Sequence, residues 1–130
     1  ELHGPLFKGK ELNKIEMSKV FKICRKVEWE SIKDNDFFEG SKIDRSDGFI
    51  HFSTSAQLKG TFAKHFRSKS QLYLLEVNID NLDLVWEVSR DNELFPHLYQ
   101  PLPLVAVARV YKISMDSKGN HIIPEQVFYN

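Results

Sequence analysis

A chain of 130 residues, 42% hydrophobic and 28% charged, is sized and composed for one hydrophobic core and not for a disordered segment. Its 18 basic and 18 acidic residues cancel, which removes any argument from overall charge toward a nucleic-acid or membrane surface. The lone Cys24 rules out an intrachain disulfide, and no apolar run approaches the roughly 20 residues of a bilayer span, so a cytoplasmic protein of a reducing compartment is expected.

Glu1–Glu16 is polar and precedes the first patterned residues, so it reads as an N-terminal extension or expression remnant, with residues 17–130 forming a single α+β domain. Val20–Cys24 is expected to be the first strand, with Cys24 a buried structural thiol, and Val27–Asp34 a short helix turning Val27, Trp29 and Ile32 inward. Gly40–Asp47 reads as a loop. Gly48–Ser53 is a short strand whose alternation puts Phe49, His51 and Ser53 on one side and Ile50 and Phe52 on the other. Thr54 with Gln57 fits a capping box, and Leu58, Phe62 and Phe66 then recur every fourth residue, predicting a helix over Ser55–Arg67.

Leu72–Ile79 and Leu82–Val88 are two further strands joined near Asp80 and Asn81, the second with Leu82, Leu84, Trp86 and Val88 at period two. Pro96, Pro101 and Pro103 argue against regular structure from Asp91 to Pro103. Leu104–Ile113 is the clearest strand, Ser117–Asn120 a turn, and His121–Ile123 a last short strand. Strands outnumber helices without a regular βαβ alternation, which favours α+β over a doubly wound sheet.

Two segments concentrate the chemistry. His51 and Ser53 share a strand face just before a helix begins, an arrangement that suits an anion and equally suits a half-buried histidine beside ordinary caps. Trp86–Arg90 followed by Asp91–Tyr99 mixes aromatics, carboxylates and His97, as ligand sites do. An Arg90–Glu93 surface pair, with Phe95, Leu98 and Tyr99 pinning the loop to the core, explains the same residues. Gly48–Leu75 carries four basic residues and no acid, whereas Glu76–Glu93 carries six acids and only Arg90, so the two segments are oppositely charged. Lys64, Arg67 and Lys69, interleaved with Phe66, fit a phosphate backbone or a solvated helix end. The histidines lack the close Cys/His spacing of a zinc site, so no metal is expected, and there is no Gly-rich phosphate loop.

Asp47–Ser53 and Glu93–Tyr99, with Trp86-Glu87 between them, resemble a family catalogued as a domain of unknown function, number nine hundred and fifty-two, over about Lys19–Pro124. That family is grouped with ADP-ribosyltransferase-like folds, which implies a small curved, split β core with two or three short helices and NAD bound in its cleft. Gly48–Ser53 is similar to the His-bearing strand of transferases that remove an RNA 2′-phosphate using NAD. By this resemblance His51, Glu87 and His97 are the catalytic candidates. Lys22 or Arg25 would make the first-strand cofactor contact, where the larger group usually offers His or Arg, and Ser53 would hold ribose. Arg90 would meet the pyrophosphate, and Phe95 or Tyr99 would cover nicotinamide. The implied partners are a small-molecule nucleotide or phosphorylated acceptor, with RNA the weaker alternative and no membrane. The competing class is a non-enzymatic module that binds a nucleotide or small anionic ligand.

Overall fold

Alternation along the first strand decides where the two halves of the core lie. In the computed structural model, which describes residues 18–129, the strand β1 (Lys19–Arg25) sends Val20 and Cys24 into one apolar cluster and Phe21 and Ile23 into another. The extension expected at Glu1–Glu16 lies outside the described residues. After β1 come α1 (Lys26–Ile32), β2 (Phe37–Phe38), α2 (Lys42–Asp47) and β3 (Ile50–His51). A 3₁₀ turn, Ser55–Gln57, leads into α3 (Leu58–His65), and β4 (Leu72–Asn78), β5 (Leu84–Val88) and β6 (Leu94–Leu98) follow. Then come β7 (Leu102–Pro103), β8 (Val107–Met115) and β9 (His121–Ile122), followed by a 3₁₀ turn, Glu125–Phe128.

The strands form three antiparallel sheets, ordered β1-β4-β8-β9, β3-β6-β5 and β2-β7. This is the expected α+β fold, with a divided β core and three short helices. β4 lies between β1 and β8, and Leu72 to Val77 are all buried, which is why its sequence is nearly continuously apolar. Its two faces serve the two clusters. Leu75 and Val77 pack with Val20, Ile50, Phe52 and Leu98, while Leu72 and Leu74 pack with Phe21, Ile23, Leu58 and Phe62. Each such Leu or Phe contributes about 1.5–3 kcal/mol by leaving water. The capping box is present, with Thr54 Oγ1 accepting from Gln57 N at 3.3 Å and Gln57 Oε1 from Thr54 N at 3.0 Å. A bridge joins the first sheet to the strand that carries His51: Phe21 N donates to Ser53 O at 2.8 Å, and Ser53 N to Phe21 O at 2.9 Å.

Several local expectations are corrected. Gly40–Asp47 is largely the helix α2, opened by a reciprocal cap in which Ser41 Oγ accepts from Asp44 N at 3.3 Å and Asp44 Oδ2 from Ser41 N at 2.9 Å. It ends on Gly48, whose φ of 88° is the left-handed conformation that glycine adopts without a side-chain penalty. Val27 is 60% exposed; only Trp29 and Ile32 of the expected inward set pack on the core. Likewise Leu82, Leu84 and Trp86 pack inward, but Val88 does not. Asp91–Pro103 is not irregular, since it contains β6 and β7. Pro96 even sits in the middle of a three-stranded sheet. Its carbonyl accepts from Phe52 N at 3.0 Å, but it has no N–H to return, and the β3–β6 ladder stops one residue earlier, at His51 and His97. Leu104–Ile113 begins with a 3₁₀ turn, and regular pairing runs from Val107 to Met115. Among the described residues, no helix is long and apolar enough to cross a membrane.

Candidate functional site

Register in the β3-β6-β5 sheet assembles the site. His51 is the direct partner of His97, and Val85 partners His97 on the other side, so these three share a face with Glu87 and Tyr99 two residues away along their strands. Phe49 completes the cluster. Its ring stacks on His97 at 4.1 Å between centroids and lies 4.6 Å from His51 and 5.1 Å from Tyr99, while the two histidine rings are 5.5 Å apart. Phe49, His51, His97 and Tyr99 thus lie on one side of the sheet, whereas Ser53, which strand alternation was expected to group with Phe49 and His51, is buried and turned to Thr61.

Each histidine has a carboxylate partner. Glu87 Oε1 lies 2.7 Å from His97 Nδ1 and accepts from the Tyr99 hydroxyl at 2.7 Å. The bonds from His97 and then Tyr99 hold the Glu87 carboxyl below its usual range, and the same bond raises the Tyr99 hydroxyl. Glu87 is therefore ionised at neutral pH, and His97 Nδ1 is the donor to it. His51 Nδ1 lies 2.6 Å from Asp44 Oδ1 and its Nε2 3.0 Å from Asp47 Oδ2.

Asp44 is the residue that sequence reasoning missed. Only 1% exposed, it also receives Lys22 Nζ at 2.6 Å, Ser41 N at 2.9 Å and His51 N at 3.2 Å. Burial pushes its carboxyl up, but the bonds from His51, Lys22 and Ser41 outweigh burial and hold it well below the usual carboxylate range. Gly40 makes room for it: at φ 102°, a side-chain carbon there would stand 2.6 Å from Asp44 Cβ. The readable signal was Ser41-x-x-Asp44 before Gly48, a cap at one end of a helix and a stop at the other.

A second network lies behind the histidines. Buried Ser53 places Oγ 2.9 Å from Thr61 Oγ1, which accepts from Arg90 Nη1 at 3.1 Å and donates to Gln57 O at 3.1 Å. The Arg90 guanidinium lies 4.7 Å over the Phe95 ring, and Gly60 lets it approach, because a side-chain carbon there would come within 3.0 Å of Nη2. Arg90 thus packs internally, and its close carboxylate is Asp91 at 3.9 Å, not Glu93. Thr61→Val is expected to cost about 1–3 kcal/mol by stranding Ser53 and one arm of Arg90. Urea unfolding measures it, and an unchanged midpoint would show that the network adds nothing.

The structure therefore brings His51, Glu87, His97 and Tyr99 together and joins Lys22 to them through Asp44. It does not bring Arg25, which alternation places on the opposite face of β1 from Lys22. Phe95, 6% exposed beneath Arg90, is not open to cover a ligand ring. An open cleft of about 250 Å³ adjoins the cluster, lined by Asp44, Arg45, Gly48, Phe49 and Tyr99 among others. Among the described residues, no group of three or more His, Cys, Asp or Glu side chains is placed to hold a metal. Burial pushes the Cys24 thiol up to about 12, so it is inert at neutral pH.

These features define an α+β domain with a divided antiparallel core and a face of paired histidines and carboxylates. Residues 23–110 match the family model described as protein of unknown function (DUF952), and the chain belongs to that family. It is similar to the protein CC0527 of Caulobacter crescentus. The X-ray structure of CC0527 is 39% identical, covers 84% of this chain and 97% of that one, and gives a TM-score of 0.78. An X-ray structure of its double mutant gives 0.77 at the same identity and coverage. The solution NMR structure gives 0.72 at 41% identity, covering 85% of this chain and 94% of that one. No curated protein matches the chain.

Proposed function

We propose that the chain is an NAD-dependent ADP-ribosyl or RNA 2′-phosphotransferase-like enzyme, with NAD as substrate and the Phe49–His51–Glu87–His97–Tyr99 face as its site. The observation that carries this reading is Glu87, a carboxylate kept ionised by His97 and Tyr99 on the same sheet face as His51. Cleavage of the nicotinamide–ribose bond leaves with its electron pair on nicotinamide and builds positive charge on the ribose, and a fixed negative charge beside that sugar stabilises the transition state. The acceptor oxygen then bonds to the ribose carbon, and a hydroxyl acceptor loses its proton to solvent while an ionised phosphate oxygen has none to lose. Glu87 supplies the charge, His51 Nε2 holds a ribose hydroxyl that displaces the exposed Asp47 carboxylate, and Phe49 and Tyr99 wall the ring.

The fit to NAD is partial. A cleft of about 250 Å³ falls below the roughly 300–1,000 Å³ of drug-sized pockets, and of the proposed face only Phe49 and Tyr99 line it, so a ligand there would reach Glu87 past the Tyr99 ring. Lys22 and Arg90 are engaged by Asp44 and by Thr61, which assigns both a positioning role in place of a phosphate contact, and Arg45 is the cation that lines the cleft. A non-enzymatic module for a nucleotide or small anionic ligand is the second reading, favoured by one observation: the cleft is lined by Arg45 beside Phe49 and Tyr99.

Calorimetric titration of NAD, ADP-ribose and a 2′-phosphorylated oligonucleotide, with chromatographic detection of released nicotinamide, tests the proposal. NAD and ADP-ribose are expected to bind, with affinity falling about tenfold or more in His51→Ala, and NAD is expected to be consumed. Binding without nicotinamide release selects the module. Absence of heat from all three ligands removes both nucleotide readings.

A further inference from the structure

A second cavity lies at the other end of the first sheet, where α1 begins, β4 begins and β8 ends. It measures about 430 Å³ and is lined by Lys26, Ser70, Gln71, Tyr73, Lys112 and Ser114, with Leu72, Ile113 and Met115 also at its edge. Among the described residues, no carboxylate lines it. Among the described residues, neither Lys26 nor Lys112 makes an ion pair within 4.0 Å, and both are exposed. Of the carboxylates near Lys26, Glu28 accepts from Arg25 N at 2.9 Å, and Glu30, whose charge Lys26 also meets, is held by Lys33 Nζ at 3.1 Å and by the Tyr73 hydroxyl at 3.3 Å.

The rim is built and not slack. Lys26 N donates to Gln71 O at 2.8 Å, Lys69 N to Phe66 O at 2.9 Å, and His121 Nε2 lies 2.7 Å from Lys69 O. These bonds hold Ser68 and Gln71 at φ of 62° and 59°, left-handed conformations without glycine, which persist only where surrounding contacts enforce them. Arg25, which the histidine face does not use, ends β1 opposite Leu72, one of the lining residues. Basic Arg67 and Lys69 precede the rim in sequence.

We propose that this pocket binds a phosphate monoester, at a site separate from the histidine face. Two ammonium groups without an ion pair within 4.0 Å, and no lining carboxylate among the described residues, match the charge of about −1.5 to −2 that a monoester carries at neutral pH. The Ser70 and Ser114 hydroxyls and the Gln71 amide supply further donors to its oxygens.

The test follows backbone amide NMR shifts in the full chain during titration with inorganic phosphate, a 5′-phosphorylated oligonucleotide, and the same oligonucleotide ending in a hydroxyl. Phosphate and the phosphorylated oligonucleotide are expected to shift the amides of Ser70, Gln71 and Ser114. A stronger response to phosphate alone identifies a small-molecule ligand, and a stronger response to the phosphorylated end identifies a nucleic-acid terminus. Lys26→Ala with Lys112→Ala should weaken binding about tenfold or more, while Lys59→Ala with Lys118→Ala, the same loss of charge elsewhere, should not. Unmoved amides, equal binding of both oligonucleotides, or unchanged affinity in the Lys26 and Lys112 variant would overturn the proposal. Because the histidine face is untouched by these variants, loss here leaves NAD binding as an independent result.

Discussion

Asp44→Ala is expected to destabilise the fold by about 3–5 kcal/mol, because it leaves the buried Lys22 ammonium without its counter-charge. Lys22 is 5% exposed and Asp44 1%, so water does not replace the lost partner. The substitution also removes the acceptor for Ser41 N, which opens α2, and for both the backbone N and Nδ1 of His51. Urea unfolding gives the loss directly, and Asp44→Ala with Lys22→Met should recover part of it, since an apolar pair of similar volume avoids the stranded charge. The sign of the acid dependence follows from the direction of the shift. The folded-state carboxyl lies below its unfolded value, so its stabilisation is complete above about pH 4 and is lost as pH falls toward the folded value. Wild-type stability should therefore fall on acidification more steeply than that of the variant. An Asp44→Ala midpoint equal to wild type would show that Lys22 is solvated in the native state, and the network would lose its structural role.

How the sequence encodes this arrangement differs from element to element. Strands whose two faces have different neighbours were legible: Ile50 and Phe52 against Phe49 and His51, and Leu84 and Trp86 along β5, because period-two alternation reports directly on burial. The helix after Ser53 was legible because Thr54 and Gln57 cap it and Leu58 and Phe62 fill one stripe. α2 has six residues and buries only Asp44, so it carries no apolar period, and its polar stretch reads as a loop unless the cap at Ser41 is weighed. β6 was hidden by Pro96, whose missing N–H is tolerated because the β3 ladder ends beside it. The partners of the candidate residues were the least legible. Nothing local in the sequence reports that Asp44 reaches back to β1 or that Arg90 lies over Phe95.

Glu87→Gln should separate chemistry from binding if the histidine face acts on NAD as proposed. The substitution preserves shape and one oxygen acceptor for the His97 and Tyr99 donors, but removes the negative charge that those donors hold in place. A charge that matters when the ribose becomes cationic contributes to the transition state more than to the bound substrate, so kcat should fall roughly 10²–10³-fold with little change in KM. ADP-ribose, which lacks the departing nicotinamide, should bind the variant within a few-fold of wild type on the same reasoning. The pH profile supplies a readout that a purely structural role would not move. The Glu87 carboxyl lies below its usual range, so wild-type turnover should persist below the ordinary glutamate value of about 4.3 and fall only as that lowered group is protonated. Tyr99→Phe removes one of the two bonds that lower it, so its acid limb should move upward toward the ordinary value. Nicotinamide release at the wild-type rate by folded Glu87→Gln would sink the assignment of Glu87, and an acid limb that Tyr99→Phe leaves in place would show that the hydroxyl does not tune it.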